Sequence, residues 1–222
     1  MIAGVGSHIA HPFKKSLKTP IMWVHPAMGK TYTIENSSYK NQIMDWDVEF
    51  NRIRDTWISQ TTNTIIGTPE YKAVRNEYLI NWRNHKDFKE FVENKWKEIK
   101  HRAVNQNKIL IASPTMLLEL FPNDFNKIIT MSSEEFIKRG TAREDSNPAA
   151  WKESIDKVLA NVPLNIPKIT ANSNEYLLNM LEHGNLNKEL YQLEDNEMLE
   201  EAARFLAQHK RNVSYTAAMH EF

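Results

Sequence analysis

The sequence predicts an α/β protein in which a parallel β-sheet is covered by helices on both faces. Short apolar runs of four or five residues, each bounded by polar or turn residues, have the character of buried strands. Longer amphipathic stretches separate these runs, and this alternation is typical of parallel sheets. The predicted strands are PIMWV (20–24), QIMDW (42–46), KILIA (108–112), KIITM (127–131) and PKITA (167–171).

The long interval between the second and third strands predicts a helical insertion over residues 48–107. Its aromatic and apolar residues recur at mostly helical spacing, so we expect one or two amphipathic helices in its second half, packed on the domain. Thr68 and Pro69 predict a helix start as N-cap and first residue.

Two further helices are predicted after the fourth strand. Ser132 or Ser133 resembles a helix start, and Gly140 predicts the end of that helix. Asn147, which precedes a proline, predicts the start of the next helix. An amphipathic stretch at 195–211 could pack on the domain or on a second subunit, so a homodimer is one alternative.

Composition excludes several classes of function. Lys plus Arg and Asp plus Glu each number 28 among 222 residues, which gives no electrostatic argument for binding nucleic acid or a membrane surface. The absence of cysteine excludes disulfides, thiolate metal sites and thiol nucleophiles. No apolar run approaches the roughly 18 residues of a membrane span. We therefore expect a cytoplasmic protein with one domain over residues 19–222, after an N-terminal extension over residues 1–18.

A phosphate-binding loop is predicted where the first strand ends, in IMWVHPAMGKTYTIE (21–35). Such a loop follows a strand, turns its N–H groups inward, and carries a lysine for phosphate and a hydroxyl for magnesium. Gly29, Lys30 and Thr31 match the end of the pattern G-x-x-x-x-G-K-S/T, but Val24 replaces its first glycine. The predicted nucleotide-binding residues of the loop are His25, Pro26, Ala27, Met28, Gly29, Lys30, Thr31 and Tyr32.

Two carboxylates follow the second predicted strand. Asp45 and Asp47 stand where ligands bind in parallel sheets, at the carboxyl ends of the strands. One carboxylate could hold a magnesium-bound water, and the other could orient or deprotonate an acceptor hydroxyl. The alternative is a helix cap beside a solvated acid.

Arg139 and Arg143 are four residues apart and share a face if the segment is helical. Mobile arginines that close over a transferred phosphoryl group stabilise its charge and exclude water. The alternative is a solvated basic face.

The loop HPAMGKT followed by DWDVEF resembles the nucleoside monophosphate kinase group of P-loop proteins, in particular nucleotide-kinase-like proteins of bacteriophages. It also resembles the shikimate- and gluconate-type kinases, which carry an Asp-x-Asp motif. The resemblance spans roughly residues 20–181 and implies a three-layer P-loop NTPase fold with a five-stranded parallel sheet in the order 2-3-1-4-5. It further implies an acceptor-binding insertion at 48–107, a lid at 132–147 and, for a phage protein, the host cytoplasm.

The resemblance also implies roles for individual residues. Lys30 would contact the donor's terminal phosphates, and Arg139 and Arg143 would be lid arginines. The implied Mg²⁺ ligands are Thr31 and, through water, Asp45. Asp47 would contact the acceptor or the metal, Phe50 would belong to the acceptor-binding residues, and Arg52 or Arg54 would bind the acceptor's phosphate. Asn172 and Ser173 could line the site of the donor's base. The third strand ends in IASP, without the aspartate familiar from adenylate kinases, so metal binding would depend on the Asp-x-Asp motif.

Three functions are consistent with these residues. The first is ATP- and Mg²⁺-dependent phosphorylation of a nucleoside monophosphate, a deoxynucleotide if the phage resemblance holds. The second is a kinase for a hydroxylated small molecule, with Asp47 as the base. The third is a nucleotide-binding interaction protein without turnover, which the valine at position 24 motivates.

Overall fold

The computed structural model describes residues 20–37, 40–142 and 147–182. Five strands in these residues form one all-parallel sheet with the order 2-3-1-4-5 along its width, as predicted. The strands are β1 (Ile21–Val24), β2 (Ile43–Asp45), β3 (Ile109–Ala112), β4 (Lys127–Thr130) and β5 (Lys168–Thr170). All four residues of β1 and of β3 are buried, as expected for central strands covered on both faces.

Helices connect the strands in the described part of the chain. They are α1 (Lys30–Asn36), α2 (Trp46–Thr62), α3 (Pro69–Ile80), α4 (Lys86–Asn105), α5 (Thr115–Leu120), α6 (Ser133–Ala142), α7 (Pro148–Ala160) and α8 (Leu177–Glu182). Short 3-10 helices lie at Lys40–Gln42, Trp82–Asn84 and Pro122–Asp124.

Side-chain caps begin several helices where the sequence predicts a start. The Thr68 hydroxyl accepts a hydrogen bond from the Tyr71 N–H at 3.2 Å, and the Asn147 amide oxygen accepts one from Ala150 at 3.1 Å. The Ser132 hydroxyl accepts one from the Glu135 N–H at 3.2 Å. Each cap satisfies an N–H that has no partner within its helix.

The predicted end of α6 at Gly140 is wrong, since the helix continues to Ala142. Gly140 is buried within it. A glycine inside a helix is unfavourable by about 1 kcal/mol, but burial of an amphipathic face can outweigh this local preference. Such packing is present here, because α6 packs on α7.

The interval between β2 and β3 folds as three helices, α2, α3 and α4, packed against one another and the sheet. Trp46 and Trp96, from α2 and α4, meet edge to face at 5.3 Å in the buried core. The helical segment begins at Trp46 rather than at residue 48, because Asp45 both ends β2 and caps α2.

Several predictions concern residues outside the described part of the chain. These are the N-terminal extension (1–18), Arg143 and the amphipathic stretch at 195–211. None of the helices formed by the described residues is long and apolar enough to cross a membrane.

Candidate functional site

The loop between β1 and α1 uses two left-handed backbone positions. Gly29 has φ 75° and Ala27 has φ 68°, and such values are rare for a residue with a Cβ atom. Val24 is the fully buried last residue of β1 and is not one of the residues with positive φ. The turn is therefore made at Ala27 and Gly29, and the valine adopts an ordinary extended backbone.

The N–H groups of this loop are available to a ligand. Among the described residues, no acceptor receives a hydrogen bond from the backbone N–H of any residue from Ala27 to Thr31. The loop lies at the carboxyl end of β1, where the chain leaves toward β2 on one side of the sheet, while the connection from the neighbouring β3 leads to β4 on the other side. Ligands of open α/β sheets bind at such points.

Lys30 brings the predicted carboxylates to this loop. Its ammonium group forms an ion pair with Asp47 and lies 3.5 Å from the Asp45 carboxylate. The Lys30 side chain is 11% exposed, so this pair is partly shielded from solvent. Both carboxylates therefore face the same positive charge, the Lys30 ammonium group.

Asp45 has a structural and an electrostatic function together. Its carboxylate accepts a hydrogen bond from the Asp47 N–H at 2.8 Å and so caps α2. Burial raises the pKa of the Asp45 carboxyl above its usual 3.8, with a contribution from Asp47 that the Lys30 ammonium opposes. The helix-cap alternative therefore applies to Asp45, and the binding of a magnesium-bound water stays a prediction.

A cavity of about 800 Å³ opens beside the loop. Pro26, Ala27, Gly29, Lys30, Thr31 and Tyr32 form its loop side. Asp47 and Asn51 of α2 line it together with Leu79 and Trp82 from the helical insertion. Ser113–Met116, which follow β3, and Trp151 of α7 complete the wall.

Arg54 and Arg75 adjoin residues that line this cavity. Arg54 donates a hydrogen bond to the Asn51 side-chain oxygen at 2.7 Å and pairs with Asp55 at 2.7 Å. Arg75 stands one turn before Leu79, and its buried Nε has no hydrogen-bond acceptor among the described residues. Tyr71 lies near both arginines. Burial, and then the neighbouring Asp55 carboxylate, raise the pKa of the Tyr71 hydroxyl to about 12, so this hydroxyl remains a neutral donor.

Asn51 was not predicted from the sequence, although a signal was present. Asp47, Asn51 and Arg54 are spaced i, i+4 and i+7, which places them on one face of α2. The same geometry places Arg52 on another face, where it lines a groove of about 680 Å³ with Trp57. Helical periodicity favours Arg54 over Arg52 as the arginine that shares the face of Asp47.

Some predicted residues are buried away from the cavity. Phe50 belongs to the core, with its ring 4.5 Å from Trp46 in a stacked arrangement. Met28 is fully buried beneath the loop. Both side chains are therefore packed against other protein groups. Met28 belongs to the loop through its backbone, whereas Phe50 does not.

The His25 side chain is also fully buried, and its ring packs 4.8 Å from Phe136. Its Nδ1 lies 3.0 Å from the Pro26 carbonyl. Burial is the main reason that the pKa of His25 falls from 6.5 to about 4, and the charges of Lys152 and Arg139 lower it further. The ring is therefore neutral at physiological pH.

Arg139 lies under the loop, 7% exposed. Its Nη1 donates a hydrogen bond to the Ala27 carbonyl at 3.1 Å, and its Nη2 donates one to the Glu175 carbonyl at 2.9 Å. Its Nε donates to Glu135 at 2.7 Å, and this hydrogen bond is the main reason that the pKa of Glu135 is lowered. The predicted lid arginine is thus bound to protein groups.

The segment after β5 closes the other side of the loop. Asn172 and Ser173 are exposed there, and Asn172 contacts Glu175 through its N–H at 2.8 Å. Tyr176 packs against Gly29, since a Cβ added to that glycine would lie 3.0 Å from the tyrosine Cδ1. The resemblance implies that this segment lies near the donor's base, and in the structure it lies beside the loop.

The residues present suit magnesium bound together with a nucleotide. The described residues contain no cluster of three or more His, Cys, Asp or Glu side chains that could enclose a metal ion. Mg²⁺ usually keeps several waters and takes one or two carboxylates plus substrate phosphate oxygens. Asp45, Asp47 and the exposed Thr31 hydroxyl are oxygen donors of this kind on and around the loop.

No protein-family model, curated protein or solved structure matches this chain.

Proposed function

We propose that this protein transfers the terminal phosphoryl group of ATP to a nucleoside monophosphate, using a P-loop NTPase fold. The observation that carries the proposal is the pairing of Lys30 with Asp47 at a cavity whose wall residue Asn51 accepts a hydrogen bond from Arg54. The loop offers N–H and ammonium donors to a polyphosphate. The guanidinium group of Arg54, next to the cavity wall, suits a second anion.

On the donor side, the N–H groups from Ala27 to Thr31, which have no acceptor among the described residues, hold phosphate oxygens by charge-assisted hydrogen bonds. Lys30 follows directly and exchanges its carboxylate partner for the terminal phosphates. Thr31 and Asp45 are the residues that would hold Mg²⁺, Asp45 through water. When bound, the ion neutralises charge on the phosphates.

In the transfer step, an oxygen of the acceptor phosphate forms a bond to the terminal phosphorus of ATP. The bond from that phosphorus to the bridging oxygen breaks, and ADP leaves with the electron pair. A phosphate monoester is largely ionised at pH 7, since its second pKa is about 6. No general base is required, so the protein contributes position and charge stabilisation.

On the acceptor side, Arg54 and Arg75 are the candidates for the phosphate of the monophosphate. Arg54 is turned toward the cavity wall by its hydrogen bond to Asn51, and the Arg75 Nε lacks an acceptor among the described residues. Trp82 and Trp151 offer aromatic walls to a nucleobase. A preference for deoxynucleotides is the part of the proposal that depends on the bacteriophage resemblance.

A kinase for a hydroxylated small molecule is the second candidate, and one observation favours it. The Asp47 Oδ1 atom is buried and has no hydrogen-bond donor among the described residues. That oxygen could accept the proton of an alcohol, which, unlike a phosphate, needs a base at neutral pH.

The first experiment measures ADP release from ATP and Mg²⁺ with a panel of nucleoside and deoxynucleoside monophosphates. Lys30→Met should abolish turnover, while Lys157→Met should not. Lys157 is an exposed lysine of α7 that pairs with Glu153 outside the cavity. Absence of a diphosphate product from every monophosphate would reject the proposal, and ATP binding without consumption would favour an interaction protein.

A second experiment separates the two acceptor classes. For a monophosphate acceptor, Arg75→Met should raise the acceptor KM about tenfold or more while the KM for ATP stays near its wild-type value. An alcohol acceptor makes no demand on this guanidinium. An unchanged acceptor KM in a folded Arg75→Met protein, with activity on polyols or sugars, would instead establish the second candidate.

A further inference from the structure

Two carbonyl groups of the loop between β1 and α1 are held by neighbouring elements. Arg139 Nη1 donates to the Ala27 carbonyl at 3.1 Å, and the Leu177 N–H donates to the Met28 carbonyl at 3.0 Å. A trans peptide points its C=O and its N–H in opposite directions. The N–H groups of Met28 and Gly29, which share these peptides, therefore point away from Arg139 and α8.

Arg139 is suited to a fixed role because the rest of its side chain is also engaged. Its Nε donates to Glu135 at 2.7 Å, its Nη2 donates to the Glu175 carbonyl at 2.9 Å, and its guanidinium lies 4.0 Å from the Tyr176 ring centroid. A planar guanidinium makes several hydrogen bonds of defined direction at once. Closing over a substrate would require Arg139 to leave all of these partners.

The Arg139 contact falls on the strained residue of the loop. Ala27 has φ 68°, a conformation that a Cβ atom disfavours. The charge-assisted hydrogen bond from Arg139 to the Ala27 carbonyl offsets this conformational cost. The usual phosphate loop has a glycine at the position of Val24, whereas here the curvature is made at Ala27 and secured from outside.

We propose that Arg139 is a positioning residue that holds the loop in its phosphate-binding shape, rather than an arginine that closes over the transferred group. This inference rests on the proposed function, because it assumes that the loop binds the phosphates of the nucleotide. Arg139 acts through the Ala27 carbonyl and does not touch the substrate. Glu135 holds the guanidinium group through its Oε1 atom. The other carboxylate oxygen of Glu135, Oε2, accepts a hydrogen bond from the Ser173 hydroxyl at 3.3 Å.

The test is ADP binding by calorimetry to the wild-type protein, to Arg139→Met and to Arg102→Met. Arg102 is the matched control, because it is an arginine paired with a glutamate (Glu49) and does not line the cavity beside the loop. Arg139→Met should bind ADP about tenfold more weakly, the loss expected for one charge-assisted hydrogen bond. Arg102→Met should bind like wild type.

Ala27→Gly in the Arg139→Met background separates positioning from general folding. Glycine adopts a positive φ without a steric cost, so the double variant should recover part of the ADP affinity. A folded Arg139→Met protein that keeps its ADP affinity but loses kcat would overturn the proposal in favour of a lid arginine. An ADP affinity that Ala27→Gly leaves entirely unrecovered would also overturn it, since the arginine would then act on folding in general.

If Arg139→Met does not fold, Glu135→Gln tests the same arrangement with a smaller change. It weakens the hold on the guanidinium but leaves the arginine present, so ADP affinity should fall by a smaller factor than tenfold. Unchanged ADP affinity in Glu135→Gln would then overturn the proposal. Failure of the wild-type protein to bind ADP is a different result, because it removes the proposed function itself.

Discussion

Lys30 at the start of α1 and Asp47 in the first turn of α2 form an ion pair at the edge of the cavity. The Asp47 carboxylate is 28% exposed and the Lys30 side chain 11%. A nucleotide phosphate that approaches the loop must compete with this carboxylate for the ammonium group. The pair therefore couples the affinity for the donor to the charge at position 47.

Asp47→Asn should strengthen ADP binding. The substitution removes the competitor for Lys30, and a partly exposed ion pair is worth up to about 1 kcal/mol, so the Kd for ADP should fall by a few-fold. Glu49→Gln is the matched control, because it removes the same charge from the same helix without a contact to Lys30. Weaker ADP binding in Asp47→Asn than in Glu49→Gln would contradict this prediction.

Asp45→Asn should raise the stability of the fold at neutral pH. Asparagine can still cap α2, and the substitution removes a carboxylate whose pKa in the folded protein is raised above 3.8 by burial. Because the carboxyl pKa is higher in the folded protein than in the unfolded chain, the ionised carboxylate lowers the free energy of unfolding at pH values above its pKa in the folded protein. This destabilisation disappears as the pH falls toward the pKa of the carboxyl in the unfolded chain. Urea denaturation should show a higher midpoint than wild type at pH 7.5 and a smaller difference near pH 4. A lower midpoint for Asp45→Asn at pH 7.5 is the result that counts against this reasoning.

Acid should destabilise the protein through His25. Because the pKa of His25 falls from 6.5 to about 4 on folding, the unfolded chain takes up a proton in this range while the folded chain does not. The free energy of unfolding should therefore decrease as the pH falls from about 6.5 to about 4, by on the order of 3 kcal/mol from this group.

Replacing the histidine tests this assignment. His25→Gln should show a flatter pH dependence of the urea midpoint between pH 7 and pH 4.5 than wild type. His101→Gln, which changes an exposed histidine of α4, serves as the control. Equal slopes in His25→Gln and wild type would show that other groups control the acid response.

Gly29→Ala should weaken both folding and ADP binding. A residue with a Cβ at φ 75° costs about 1–2 kcal/mol, and the new methyl group would lie 3.0 Å from Tyr176. Gly67→Ala is the matched control, because Gly67 has φ 95° but no atom within 4 Å of an added Cβ. We expect both variants to melt at a lower temperature and only Gly29→Ala to lose ADP affinity. Retained affinity in Gly29→Ala would show that the loop tolerates displacement of Tyr176.

Most of the elements could be predicted from local patterns. The apolar runs predict every strand of the sheet. For β1 and β3 the reason is that a strand buried on both faces must be apolar throughout. Thr68 and Asn147 predict helix starts because capping depends only on a few neighbouring residues. The helix end predicted at Gly140 was wrong, because α6 is stabilised by packing on α7, which comes later in the chain.

The candidate site was predictable in part. The motif around Lys30 identifies the loop, and Asp45 and Asp47 follow a strand end, so their meeting with Lys30 follows from parallel topology. The i, i+4, i+7 spacing from Asp47 also pointed to Asn51 and Arg54. Arg75 comes from α3, so its position relative to Arg54 depends on how α2 and α3 pack.

By itself, the sequence determined which segments form strands and helices and which short motif turns from β1 into α1. These features depend on interactions between residues close in the chain. Only the tertiary structure decided that Arg139 lies beneath Ala27, more than one hundred residues away in the chain. That hydrogen bond forms because β1 and β4 are neighbours in the sheet, so the loop after one strand meets the helix after the other. A spacing of four between two arginines carries no information about such a contact.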